Sequence, residues 1–220
     1  MAVYLEAVHT VRPLTSRVFD RYVELYGELV VPKFAEHGLE LLGAWKRTGG
    51  TMGQDLLLLR FDSLGDMERA MASVMTEPAL QTVLPEQLEK AGVVLGETTK
   101  TALGVPYATE KRLEAALADQ PGSPRQYVQA ILQLAPGGQP KAYDLIGQLA
   151  DRMEGAGAGR LAAAYETQIG QRGELTDIWV LNGALYRPGD FLGDLSGPLR
   201  EVVPEESSYD LSPLPYSPLQ

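Results

Sequence analysis

Apolar positions follow two rhythms along this chain, and the order in which the rhythms alternate predicts its elements. Residues 3 to 12, Val-Tyr-Leu-Glu-Ala-Val-His-Thr-Val-Arg, alternate with period two as far as Pro13 and predict a strand. Thr15 or Ser16 can cap a helix that carries Val18, Phe19, Tyr22, Val23, Tyr26, Leu29 and Val30 at spacings of three and four. Pro32 should kink or interrupt it, and His37-Gly38 should end it, with glycine in the left-handed position. Leu41 to Arg47 and Asp55 to Phe61 then read as a hairpin joined by a turn containing Gly49, Gly50 and Gly53. The unbroken run Leu56 to Leu59 suits a strand covered on both faces.

Asp62-Ser63 offers capping oxygens to a second amphipathic helix carrying Leu64, Met67, Ala70, Met71, Val74 and Met75, which Pro78 breaks before a further turn to about Lys90. Residues 95 to 103 can form a last strand. The order β-α-β-β-α-β is that of a ferredoxin-like unit. Residues 105 to 124, with a short helix from Lys111 to Leu117 and an Asp-Gln-Pro-Gly-Ser-Pro close, read as a linker.

A second copy of the pattern follows. Tyr127 to Pro136 aligns without a gap on Tyr4 to Pro13, and Ala142, Leu145, Ile146, Leu149, Ala150 and Met153 continue as a helical stripe ended by the Gly155-Ala-Gly-Ala-Gly159 run. Ala163-Ala-Tyr165, Gly170 and Trp179 repeat the spacing of the hairpin. Internal duplication is the inference, with domains at 1–104 and 125–220. The second copy is degraded after Asn182: its second helix is short and rich in Pro and Gly. The stretch from Ser207 to Gln220 is expected as an edge strand, an arm over a partner sheet, or disorder.

Composition narrows the function classes. A net charge of −10, spread without runs, disfavours a nucleic-acid groove or an anionic membrane partner, and the absence of cysteine excludes disulfides, thiolate metal sites and cysteine nucleophiles. No apolar stretch approaches the roughly 20 residues of a membrane helix, so a cytoplasmic protein is expected. The Gly155 to Gly159 run is no phosphate loop, because its glycines follow a helix instead of preceding one and no Lys-Ser/Thr comes after. With only two histidines, a metal site is not expected.

The hairpin resembles the NIPSNAP family, whose pattern is Gly-x-Trp, a glycine five residues on, a leucine, Asn-Gln, an apolar run and an aromatic-Asp-Ser end. Gly43, Trp45, Gly50, Gln54, Leu58 and Phe61-Asp62-Ser63 match; Met52 stands for the leucine, Gly53 for the Asn and Leu59 for a usual Trp, which Trp179 restores in the second copy. The resemblance implies an α+β fold in which two ferredoxin-like βαββαβ units pack sheet to sheet as a dimeric-type α/β barrel. Because both halves lie in one chain, closure within a monomer is expected, a homodimer being the alternative. The family often has Glu and Arg at the positions of Leu5 and Ala7, Tyr at His9 and His at Asp177; both copies here lack the charges.

A lumen between two such sheets would hold a small apolar molecule, lined by Leu5, Leu132, Trp45, Tyr165 and Trp179. His9 is the candidate base and Asp177 the candidate acid or orienting group, although which face of the first strand lines the lumen is open. His37, at a helix end, is a weaker candidate, and Asp55 is expected to serve at an edge or in solvent. The function implied by likeness to this barrel group is a cofactor-free oxygenase, isomerase or cyclase acting on aromatic or polyketide-like intermediates, as in bacterial secondary metabolism. The alternatives are a barrel that binds haem with His9 as axial ligand, and a binding or scaffold protein without chemistry.

Overall fold

The structure is a computed structural model describing residues 2–48, 52–118, 125–183 and 187–220. Gly49, Gly50 and the end of the expected linker, residues 119–124, lie outside the described residues. Two compact units emerge, residues 1–100 with 213–220, and residues 101–212. The division differs from the sequence reading in two ways. Residues 105–118, expected in a linker, belong to the second unit, and the final eight residues return to the first.

In the first unit, β1 (Val3–Arg12), β2 (Glu40–Thr48) and β3 (Gln54–Phe61) form an antiparallel sheet with β3 in the middle. All four leucines of β3 are buried, as a strand covered on both faces requires. Register assigns the faces. Leu5 lies opposite Leu59, Ala7 opposite Leu57 and His9 opposite Asp55, so these residues share one face, while Tyr4, Glu6 and Val8 share the other with Leu56 and Leu58.

The first face is covered by a continuous helical run: α1 (Ser16–Leu25), a wide turn at Tyr26–Val30 and α2 (Val31–Glu36). Thr15 caps α1 by accepting from the Val18 N–H, as its position predicts. As expected, the α-helix is interrupted at Pro32, and helical structure then resumes. The i→i+5 turn just before it loosens the backbone where proline has no N–H to give, and the helix continues to Gly38 at φ +74°. After β3, Ser63 caps α3 (Leu64–Val74); a second wide turn at Ala79–Val83 leads into α4 (Leu84–Lys90), and β4 (Val94–Gly104) carries the chain into the second unit.

The second unit opens with the end of β4 and α5 (Glu110–Ala118) and then repeats the first: β5 (Gln126–Gln133), α6 (Gln139–Gly155), β6 (Gly159–Ile169), β7 (Glu174–Leu181), α7 (Ser196–Val202) and β8 (Glu205–Pro213). The strand order is β8-β5-β7-β6-β4, with antiparallel pairing among the described residues. Every residue of the predicted α6 stripe is buried, against β5, β6 and β7. The duplication extends to a structural irregularity. The β2–β3 register shifts between Leu41 and Gly43, and the β6–β7 register shifts between Leu161 and Ala163, the aligned position. Among the described residues, no helix is long and apolar enough to cross a membrane.

The Gly-x-Trp spacing has a packing cause. Gly43 and Trp45 share a face two residues apart, and the Trp45 ring lies where a side chain at 43 would begin: a Cβ there would sit 2.0 Å from Trp45 Cη2. The indole is fully buried and has little room to retreat. Gly43→Ala should therefore lower stability by about 1–3 kcal/mol, read as a reduced urea midpoint at unchanged m-value. Alanine at 43 with wild-type stability would show that the indole has room to move.

Candidate active site

Building up from β1, the alternation that turns His9 toward α1 places it beside two groups from other elements. Tyr22 descends from α1 and Asp55 stands opposite on β3, and all three are buried, Asp55 at 0% exposure. The Tyr22 hydroxyl donates to Asp55 Oδ2 at 2.7 Å and lies 2.8 Å from His9 Nδ1. A phenol has one proton, and here the carboxylate takes it, so Nδ1 must carry the hydrogen it shares with the phenol oxygen. His9 Nδ1 is also 3.2 Å from Asp55 Oδ1. The lone pair of the neutral ring therefore sits on Nε2, which faces Glu97 Oε2 at 3.9 Å. Glu97 is about half exposed, so this edge of the imidazole leads toward solvent.

The electrostatics follow from burial. Desolvation disfavours the imidazolium, but the hydrogen bond and charge of Asp55, with the charge of Glu97, outweigh it and hold His9 above the ordinary histidine value. Burial and the same carboxylate push the Tyr22 phenol well above its usual range, so it stays a donor. Around the trio stand aromatic rings: Tyr26 at 5.2 Å from the His9 ring, Tyr22 at 5.4 Å from Tyr26, then Phe34 and Tyr216, each 6.3 Å from Tyr26. The result is a polar relay with an aromatic wall.

Asp177 has separate surroundings in the second unit. It lies opposite Ala130 on β5, 1% exposed, and its Oδ1 accepts from the Tyr107 hydroxyl at 2.7 Å. Burial raises its pKa, the Tyr107 hydrogen bond lowers it and the charge of Glu206 raises it, for a net value of about 7. The Tyr143 ring is 5.8 Å from that of Tyr107, and the Tyr143 hydroxyl donates to Glu166. His37 ties the end of α2 to α3: its Nδ1 lies 2.5 Å from Ser73 Oγ and its Nε2 3.0 Å from Glu77 Oε2.

The expected site residues therefore divide. Leu5 shares the face of His9, and Leu132 and Trp179 share that of Asp177, all on the helix side of their sheets. Trp45 pairs with Leu56 and Tyr165 with Thr176, which puts both on the opposite faces. His9 and Asp177 belong to different units and have different partners. On β1 the His9 face is the one covered by α1. The face away from the helices is not uniformly apolar either, because it buries Glu6 at 1% exposure with Lys100 Nζ at 3.3 Å and Arg47 Nη2 at 3.9 Å. Asp55, expected at an edge, is at the centre.

Sequence reasoning also passed over Tyr22, Tyr107 and Tyr216. A usable signal existed for the first: a hydroxyl on the buried stripe of α1 needs a partner inside. Among the described residues, no group of three or more His, Asp or Glu is arranged to hold a metal ion.

No family model matches this chain, nor does any curated protein. Solved structures do. An anthrone oxidase-like protein is 14% identical with TM-score 0.59, over 96% of this chain and 91% of its own. A protein assigned as a monooxygenase from Fusobacterium nucleatum is 8% identical with TM-score 0.64, over 97% and 92%. A NIPSNAP domain protein from Burkholderia xenovorans is 12% identical with TM-score 0.42, over 50% of this chain and 100% of its own. The two full-length likenesses show the fold. It is α+β, of the dimeric-type α/β-barrel class built from ferredoxin-like units, as the sequence resemblance implied.

A buried acid whose pKa rises on folding makes the native state bind a proton that the unfolded chain gives up. Asp177 should therefore favour the fold most below pH 4 and progressively less as pH climbs to about 7. Asp177→Asn keeps an acceptor for Tyr107 but has no charge to bury, so it should flatten that fall and gain about 2–4 kcal/mol over wild type at pH 8. Denaturant titrations at pH 4, 6 and 8 measure this; parallel curves for the two proteins would contradict it.

Proposed function

We propose that this chain is a cofactor-independent enzyme that removes a proton from an acidic carbon of an apolar aromatic or polyketide-like intermediate and lets the resulting enolate react with molecular oxygen. The observation that carries the reading is the His9–Tyr22–Asp55 relay, which fixes the imidazole tautomer so that Nε2 is the base. In an anthrone-type substrate, Nε2 takes a proton from the ring CH2, and the electron pair enters the enolate. The enolate carbon adds O2, the proton returns to the peroxide oxygen, and loss of water leaves a quinone carbonyl. One CH2 and one O2 thus give one C=O and one H2O.

The protein's own part is proton handling and exclusion of water. Asp55 stabilises the imidazolium that forms, Tyr22 holds both groups in line, and half-exposed Glu97 offers the way for the proton to exchange with solvent. The aromatic wall suits a flat apolar substrate. Support from the comparisons is the likeness to an anthrone oxidase-like protein, which bears on this chain at the level of fold. Asp177 is assigned no step, because its partners are Tyr107 and the core of the second unit.

The test is oxygen uptake and quinone formation from anthrone, corrected for the uncatalysed reaction. His9→Gln should lose at least about 100-fold in kcat, and Tyr22→Phe about 10-fold. Because the base must be unprotonated, kcat/KM should rise with pH through a value above that of an ordinary histidine. Equal rates for wild type and His9→Gln would overturn the proposal. A Soret band on haem addition that disappears in His9→Ala would favour the haem-binding alternative instead.

A further inference from the structure

One polar atom in the surroundings of His9, Tyr216 Oη, is fully buried without a hydrogen bond among the described residues. Buried hydroxyls normally find partners, so an orphan beside a catalytic candidate asks what completes it. The Tyr216 phenol is kept protonated by burial and by the nearby charge of Asp55, so the atom is a donor in search of an acceptor.

The position of Tyr216 is built, not incidental. The Leu214 N–H donates to Ala44 O and the Ala44 N–H donates to Ser217 Oγ, each at 2.9 Å, so one residue of β2 grips the segment on both sides of Tyr216. Ser217 Oγ in turn donates to Leu219 O, and Gln220 Nε2 donates to Ser217 O at 2.7 Å. The Tyr216 ring stacks on Tyr26, with 29° between planes, and rests on Gly27, where a Cβ would approach to 2.9 Å of the ring. Tyr26 is the ring that also touches His9, so Tyr216 forms the next layer of the same wall.

We infer that Tyr216 is the substrate-recognition residue of the His9 site, its hydroxyl donating to a carbonyl or phenolic oxygen of the aromatic substrate. This rests on the proposed function and names what that site reads: an oxygenated aromatic in preference to a bare hydrocarbon ring. A site built to satisfy a substrate oxygen rejects the analogue that lacks it, since the protein's own hydroxyl is then left unpaired.

The experiment compares 2-naphthol with naphthalene in fluorescence titrations of wild type and Tyr216→Phe. Wild type should bind the naphthol about 10-fold more tightly, and the variant should bind the two within about 2-fold while keeping its affinity for naphthalene. The unliganded variant should melt at or above the wild-type temperature, because it loses a hydroxyl that has no partner. Unchanged discrimination in Tyr216→Phe, no binding of either compound by wild type, or a melting temperature several degrees lower would each overturn the inference. Anthrone turnover is scored separately: its absence, with naphthol discrimination intact, refutes the proposed reaction and leaves Tyr216 in its role.

Discussion

The first unit depends on how it neutralises one buried carboxylate. Asp55 begins a run of four leucines in the middle strand and has no exposure to water. A charge in such a place costs several kcal/mol unless donors and an opposite charge meet it. Meeting it decides much else. Tyr22 must point down from α1, which fixes the rotation of that helix on the sheet. His9 must hold its Nδ1 proton inward, which fixes the tautomer and turns Nε2 outward. The polar interaction thus specifies helix docking and supplies a base in the same stroke.

The duplicated half makes a useful contrast. Its sheet repeats the register irregularity and the helical stripe, yet the polar atoms have moved by one cross-strand pair. His9 opposite Asp55 corresponds to Leu132 opposite Leu175, while Asp177 takes the place of Leu57. With no imidazole at hand, that acid meets a phenol from the loop before α5 and keeps a pKa near neutrality. One scaffold therefore carries two different solutions for an acid under a helix, and the first of them contains a base.

Much of this architecture could be read from the sequence because it is periodic. The strands, the α6 stripe, the Ser63 and Thr15 caps and the repeat are all local patterns, and packing had no reason to override them. The Gly-Trp pair could be recognised, although its cause, an indole lying over a missing side chain, needed coordinates. The site was less legible. His9 could be picked out as a lone imidazole in a strand, but its partners come from α1 and β3, and nothing in the spacing of residues 9, 22 and 55 reveals that register. Parity alone could not say which sheet face the helices cover, and that choice separated Trp45 and Tyr165 from His9 and Asp177. Tyr216 was out of reach, because a Pro- and Ser-rich stretch gives no sign of where it docks.

The way the first unit is assembled from two distant stretches of chain bears on its biogenesis. Residues 213–220 complete it, and they are synthesised only after the whole of the second unit. Until then Gly27 and Ala44 have no Tyr216 or Ser217 to receive, and one side of the aromatic layer beside His9 is missing. Closure of the His9 wall is therefore a contact of very long sequence separation that local folding cannot anticipate.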